Sequence, residues 1–222
     1  MPSPHSNQLL RRYLARYADH SDITLVGPML GEQNHQHHQY EEPVIFVDGG
    51  ARWRPMHLGH TLGDGDSFSG LLDTRLDPRK DFSDLAFALN EIGNLFHRVH
   101  LIGFLGGRRD HELFNFGEAH QFLSTRTQPG MVCFDNRVIA LASGRWELQL
   151  EGLFSLGALV QNRITLWGQC EYHCPAGTLL KPLSSLGRSN VGHGTVHLEC
   201  EAPVLLFTES VGAVDVCLRE GT

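Results

Sequence analysis

The sequence predicts two successive domains. Residues 1–129 read as an α/β domain with a mainly parallel sheet flanked by helices, and residues 130–222 as an all-β sandwich. Three observations carry this expectation. Apolar runs of strand length, Val44-Ile45-Phe46-Val47 and Val99-His100-Leu101-Ile102, end in glycine turns, as buried parallel strands do. Around them lie segments whose apolar residues recur at helical spacing. Past Pro129-Gly130, short alternating stretches between glycine turns replace the strand–helix units.

Composition sets the outer bounds. A chain of 222 residues can bury a sizeable core as one large domain or two small ones. Its 41% hydrophobic and 19% charged residues are those of a soluble globular protein. A formal net charge of −7 argues against a nucleic-acid partner. No apolar run reaches the length of a membrane span. The start, Met1-Pro2-Ser3-Pro4-His5, lacks the charged and apolar regions of a signal peptide. Cys133, Cys170, Cys174, Cys200 and Cys217 are odd in number and show no paired spacing, which fits free thiols in a reducing cytoplasm. Cys170, His173 and Cys174 resemble half a zinc site, but no second ligand pair follows at a finger-like distance.

Taken in order, residues 7–18 predict a helix with Leu9, Leu10, Tyr13, Leu14 and Tyr17 on one face, capped by Ser6 or Asn7. Ile23-Thr24-Leu25-Val26-Gly27 predicts a short buried strand. The polar stretch 32–39, with His35, His37 and His38, reads as a solvated loop. Val44–Val47 runs into Asp48-Gly49-Gly50-Ala51, an acid at the end of a buried strand, where open α/β sheets place their sites. Leu85, Ala88, Leu89 and Ile92 predict a helix, with Asp81 or Ser83 as its cap and Asp84 in its first turn. Val99–Gly103 predicts a further strand. It leads to Gly106-Gly107-Arg108-Arg109-Asp110-His111, a glycine turn opening a helix, which suits phosphate, with Arg108 as a bidentate donor. In the second half, Trp146–Glu151 and Thr195–Cys200 alternate strictly, and Val204–Phe207 is a further strand candidate.

The stretch with the most chemistry is Gly63-Asp64-Gly65-Asp66-Ser67. In extended backbone, residues i and i+2 face the same side, so both carboxylates could hold one hard cation. Mg²⁺ suits one or two carboxylates completed by water and substrate phosphates. Taken alone, a polar surface turn accounts for the same residues.

Four acidic or glycine-rich turns thus follow in order: Asp48–Ala51, Gly63–Ser67, Lys80–Asp84 and Gly106–His111. In this order and spacing the chain resembles the thiamine pyrophosphokinase family, over about residues 23–210. Phe154-Ser155-Leu156, Gly168–Tyr172 and Gly187-Arg188-Ser189-Asn190 resemble its β-domain landmarks. The chain departs from the family at Gly65, where Phe or Leu is usual, and at Ser83, where Thr is usual. It also departs at Gly168-Gln169-Cys170-Glu171-Tyr172, where Gly-Leu-Lys-Tyr is frequent, and at Val191.

The resemblance implies transfer of the diphosphate of ATP to the hydroxyl of thiamine, with release of AMP. It implies a homodimer whose sites lie between the α/β domain of one subunit and the β-sandwich of the other. By the same resemblance, Asp48, Asp64, Asp66, Asp84 and Asp110 are the catalytic acids, with Asp64, Asp66 and Asp84 holding Mg²⁺. Lys80, Asp81, Ser83, Gly106, Gly107 and Arg108 fall on the ATP side, and Ser189, Asn190 and Phe207 on the thiamine side. Asp84 is the expected acceptor of the hydroxyl proton. Transfer to another heterocyclic alcohol such as a pterin, and a non-catalytic nucleotide or thiamine-diphosphate sensor, are the alternatives.

Overall fold

In the computed structural model, residues 4–31, 39–135, 137–208 and 216–218 are described. The chain divides into two compact units, Met1–Phe122 and Leu123–Thr222. The division falls inside a helix, ahead of the Pro129-Gly130 break at which the sequence changes character.

The first unit holds β1 (Asp22–Val26), β2 (Val44–Val47), β3 (His60–Gly63), β4 (Thr74–Arg75) and β5 (Arg98–Ile102). They lie in the order β5-β1-β2-β3-β4, and every neighbouring pair is parallel. Val44, Ile45, Phe46 and Val47 are all buried, so β2 is covered on both faces, as its unbroken apolar run requires. Three α-helices are present among the described residues: α1 (Pro4–Ala15), α2 (Asp84–Ile92) and α3 (Arg109–Thr125). α1 starts at Pro4, earlier than the predicted cap at Ser6 or Asn7, and stops at Ala15 rather than residue 18. Beyond it, the backbone amides of Arg16 and Tyr17 donate to Tyr13 O and Leu14 O, three residues back. Leu10, Tyr13 and Leu14 are buried as expected, while Leu9 is half exposed. α2 follows its predicted face. Leu85, Ala88, Leu89 and Ile92 are buried, Ser83 Oγ accepts from Ala86 N at 2.9 Å as N-cap, and Gly93 ends the helix.

The second unit holds β6 (Met131–Phe134), β7 (Val138–Leu141), β8 (Gly144–Gly157), β9 (Asn162–Cys170), β10 (Cys174–Leu180), β11 (Asn190–Cys200), β12 (Val204–Thr208) and β13 (Val216–Leu218). The pairings among these strands are antiparallel. Along β8, Trp146, Leu148 and Leu150 are buried between more exposed neighbours, and Val196, Leu198 and Cys200 do the same along β11. That is the alternation read from the sequence. The pairing follows one continuous path, β10-β9-β11-β8-β12-β7-β6, rather than two separately paired sheets. The cause is the length of β8. Its 14 residues pair with β11 from Gly144 to Phe154 and with β12 from Phe154 to Gly157, so one strand joins what would otherwise be two sheets. The chain therefore holds both kinds of pairing, parallel among the strands of the first unit and antiparallel among those of the second. No helix of the described residues is long and apolar enough to cross a membrane. The histidines at 35, 37 and 38 lie outside the described residues.

Candidate active site

The order of the parallel strands reverses at β1, which has β2 on one side and β5 on the other. Loops leaving neighbouring strands in opposite directions open a crevice at their carboxyl ends, and ligands of open α/β sheets bind there. A cavity of about 280 Å³ occupies this place. Pro28 and Met29 line it from beyond β1, Asp48 from beyond β2, Phe104, Gly106 and Arg108 from beyond β5, and Ser83 and Asp84 from the start of α2.

Asp48 leaves β2 with φ 52°, in the left-handed region that Asp tolerates better than most residues. The turn behind it is tight, since a Cβ on Gly50 would stand 2.1 Å from Val26 O. Asp64 and Asp66 leave β3. They do not sit on extended backbone as the spacing predicts. Asp66 N donates to Asp64 Oδ1 at 3.1 Å, and Ser67 Oγ donates to Asp66 Oδ1 at 2.9 Å, so a side-chain-closed turn presents the two acids. Asp48, Asp64 and Asp66 each bring one carboxylate oxygen into a group whose members lie within 4.8 Å of one another. This is the group with metal-binding donors among the described residues; Cys170, His173 and Cys174 do not form one. Cys170 Sγ instead faces Tyr172 O at 3.5 Å, and His173 Nε2 lies 3.0 Å from Gly168 O.

Lys80 is buried among the acids, with its side chain 7% exposed. Its Nζ donates to Asp64 Oδ2 at 2.6 Å and lies 2.9 Å from Asp84 Oδ1. The second contact is an ion pair by distance but is not aligned as a hydrogen bond, so Asp84 Oδ1 stays unsatisfied in that sense. Burial works against the ammonium charge, yet the two carboxylates outweigh it and hold the Lys80 pKa above normal. The same pairing decides the acids. Burial alone would raise Asp64, but Lys80 and the Asp66 amide bring it below the usual value. Burial raises Asp84, and Lys80 only partly offsets this. Burial also raises Asp48, helped by the nearby charges of Asp66 and Asp64. Asp48 Oδ1 is buried and has no hydrogen-bond partner.

Asp84 was expected among the metal ligands; the structure sets it against Lys80 and puts Asp48 with Asp64 and Asp66. Arg108 and Asp110 form an exposed pair, at 2.5 Å between Nη2 and Oδ2. The Gly106 N–H, expected to face phosphate, donates to Glu112 Oε1 at 2.5 Å, while Gly107 has φ 82° beside it. Asp81 lies exposed before α2, and Ser83 keeps its hydroxyl on the helix cap.

In the second unit, Ser189 has φ 59° and its N–H donates to Ser155 Oγ at 2.9 Å. Asn190 is only 6% exposed. Its Oδ1 accepts from Tyr172 N at 3.0 Å and Val191 N at 2.8 Å, and its Nδ2 donates to Tyr172 O at 2.7 Å. The amide expected to meet an acceptor is thus fastened to the β9–β10 turn. Phe207 is 36% exposed on β12 and packs against Gly157.

Sequence reasoning missed Arg52 and Glu112. Arg52 Nε donates to Gly49 O at 2.8 Å and Nη2 to Ser67 O at 3.1 Å, so one side chain ties the Asp48 turn to the Asp64–Asp66 turn. Nothing periodic marks it, because its partners are backbone carbonyls brought together only by the β2–β3 pairing. Glu112 had a readable signal, as an acid in the first turn of a helix opened by glycines.

The chain has the fold of the thiamine pyrophosphokinases. Structural similarity reaches a TM-score of 0.61 with thiamine pyrophosphokinase from Bacillus subtilis, at 19% identity, covering 84% of this chain and 96% of that one. It reaches 0.62 with thiamin pyrophosphokinase from Geobacillus thermodenitrificans, at 20% identity over 85% of this chain and 98% of the other. For thiamin pyrophosphokinase from Candida albicans it is 0.63, at 12% identity over 87% and 89%. No family model matches the chain, and no curated protein matches it significantly. At these identities the likeness is one of fold.

Proposed function

We propose that the chain is a thiamine pyrophosphokinase, moving the diphosphate of ATP to the hydroxyl of thiamine and releasing AMP. The observation that carries this reading is the convergence of Asp48, Asp64 and Asp66 beside the switch-point cavity. The thiamine pyrophosphokinase fold supports it. Three hard oxygen donors, one of them a buried oxygen without a partner, fit Mg²⁺. Bound there, the ion would draw charge from the donor's phosphate oxygens.

The side chains divide the remaining work. Asp48, Asp64 and Asp66 would hold the metal, and Arg52 fixes the two turns that carry them. Lys80 keeps Asp64 charged and in place. Asp84, whose burial raises its proton affinity, takes the proton of the attacking hydroxyl. The oxygen of that hydroxyl bonds to the β-phosphorus as the bond from that phosphorus to the α–β bridging oxygen breaks, and AMP leaves. Arg108 offers its planar fork to phosphate, with Asp110 orienting it. The second unit contributes the acceptor surface from a partner subunit, with Ser189 and Phe207 on it and Asn190 shaping its turn.

One observation favours a second acceptor. Because the Asn190 amide is engaged with the Tyr172 and Val191 backbone, pairing with an aminopyrimidine would compete with those bonds, which favours the same transfer to another heterocyclic alcohol. The test is AMP release from Mg-ATP with thiamine and with a panel of pterin alcohols. Release with thiamine supports the main reading, and release with a pterin alone supports the second. Binding of Mg-ATP without release for any alcohol would leave a sensor.

A further inference from the structure

We propose that Arg75 is a polyphosphate-contacting residue of this site, meeting the transferred phosphates of the nucleotide. The proposal rests on the ATP-dependent reading above. β4 is the edge strand of the first unit, and its register with β3 sets Arg75 beside Gly63. Leu76 N donates to Gly63 O at 2.9 Å and locks this register. Alternation buries Thr74 and leaves Arg75 exposed.

From there the guanidinium lies over Gly65, between the two acids of the turn. A Cβ built on Gly65 would stand 3.0 Å from Arg75 Nη2, 3.2 Å from Cζ and 3.7 Å from Nε. Gly65 has φ 87°, so a larger residue is opposed both by its backbone and by the guanidinium. The bare glycine gives Arg75 its place against the acidic turn.

Arg75 differs from the other cations in being uncommitted. Lys80 is held between Asp64 and Asp84, Arg52 between two backbone carbonyls, and Arg108 by Asp110. Among the described residues the Arg75 guanidinium makes no ion pair or hydrogen bond, although it lies over the Asp64–Asp66 turn. A guanidinium so placed forms no ion pair with the acids. Its donors remain open to an anion that those acids and their metal recruit. Phosphate accepts such a fork bidentately, which a lysine at the same place would not reproduce. Four carboxylates gather here, so a polyphosphate entering the site needs cationic partners beyond the metal.

The test is calorimetric titration of the full chain with Mg-ATP and, separately, with AMP, which lacks the transferred phosphates. Arg75→Ala should weaken Mg-ATP by about tenfold, the scale of one lost charge-assisted contact, and leave AMP unchanged. Arg75→Lys should recover part of the loss, since it restores charge without the fork. Arg75→Gln keeps much of the stem over Gly65 and carries the comparison if alanine lowers the melting temperature. Unchanged Mg-ATP affinity in a folded variant overturns the role of Arg75 and leaves the functional reading standing. Equal weakening of AMP and Mg-ATP also overturns it, since a general disturbance would do that. A wild type that binds no Mg-ATP overturns both.

Discussion

Replacing Asn190 with alanine removes three hydrogen bonds at once: two into Oδ1, from Tyr172 N and Val191 N, and one from Nδ2 to Tyr172 O. Each such bond contributes about 1 kcal/mol net, so the ceiling is about 3 kcal/mol. Tyr172 is exposed, and water can replace part of what its backbone loses, which lowers the expected cost to roughly 1.5–3 kcal/mol. For a chain of this size that is a fall of roughly 3–12 °C in melting temperature. Asn190→Asp keeps both bonds into Oδ1 but sets a carboxylate oxygen against Tyr172 O in place of the Nδ2 donor. It should therefore cost at least the one lost bond and the repulsion. The assay is thermal melting of both variants, with the KM for ATP and for thiamine measured below the transition. Loss of stability, with any kinetic loss following the disturbed 170–173 turn, is the expected pattern. An Asn190→Ala protein that melts like wild type while only the thiamine KM rises would refute the structural role and restore Asn190 to acceptor recognition.

Asp64→Asn should abolish AMP release and weaken Mg²⁺ binding by more than tenfold, since it turns a charged oxygen donor into a neutral amide and removes the charge that holds Lys80; a turnover equal to wild type would remove Asp64 from the mechanism. Asp48→Asn should raise the melting temperature in metal-free buffer while removing activity, because Asn tolerates the positive φ and carries no buried charge. The sign follows from the raised Asp48 pKa. Its protonated form favours the fold fully below about pH 4, the unfolded value, and that contribution is lost as pH rises through the higher folded value. The gap between Asp48→Asn and wild type should therefore widen from pH 4 to pH 7, and a gap that narrows would contradict it. Arg52→Ala should weaken Mg²⁺ binding with little change in melting temperature, by untying the Gly49 and Ser67 turns, and Arg52→Lys should restore only part of it.

Much of the scaffold was legible because it depends on local pattern. The unbroken run Val44–Val47, ending in a glycine turn, reads as a strand covered on both faces, and the spacing of Leu85, Ala88, Leu89 and Ile92 reads as one buried side of a helix. The alternation at Trp146–Leu150 likewise fixed which side of β8 turns inward. The site was legible as four turns at strand and helix ends, because acids and glycines there are local signals. Their partners were not. Which acid joins Asp64 and Asp66, and which one Lys80 pairs with in addition to Asp64, depends on distances across turns that follow different strands.

By itself, then, the sequence determined the elements and where acids, glycines and arginines stand along them. A residue's helical or strand preference and its burial period are set by its near neighbours in the chain. Tertiary structure alone decided that β8 runs on to pair with both β11 and β12, so that the strands of the second unit form one path of pairing. It alone joined Asp48 to the acid pair, fastened Asn190 to the Tyr172 backbone and laid Arg75 over Gly65. Each of these contacts links residues whose separation in sequence carries no period, and strand register, not local propensity, brings them within reach.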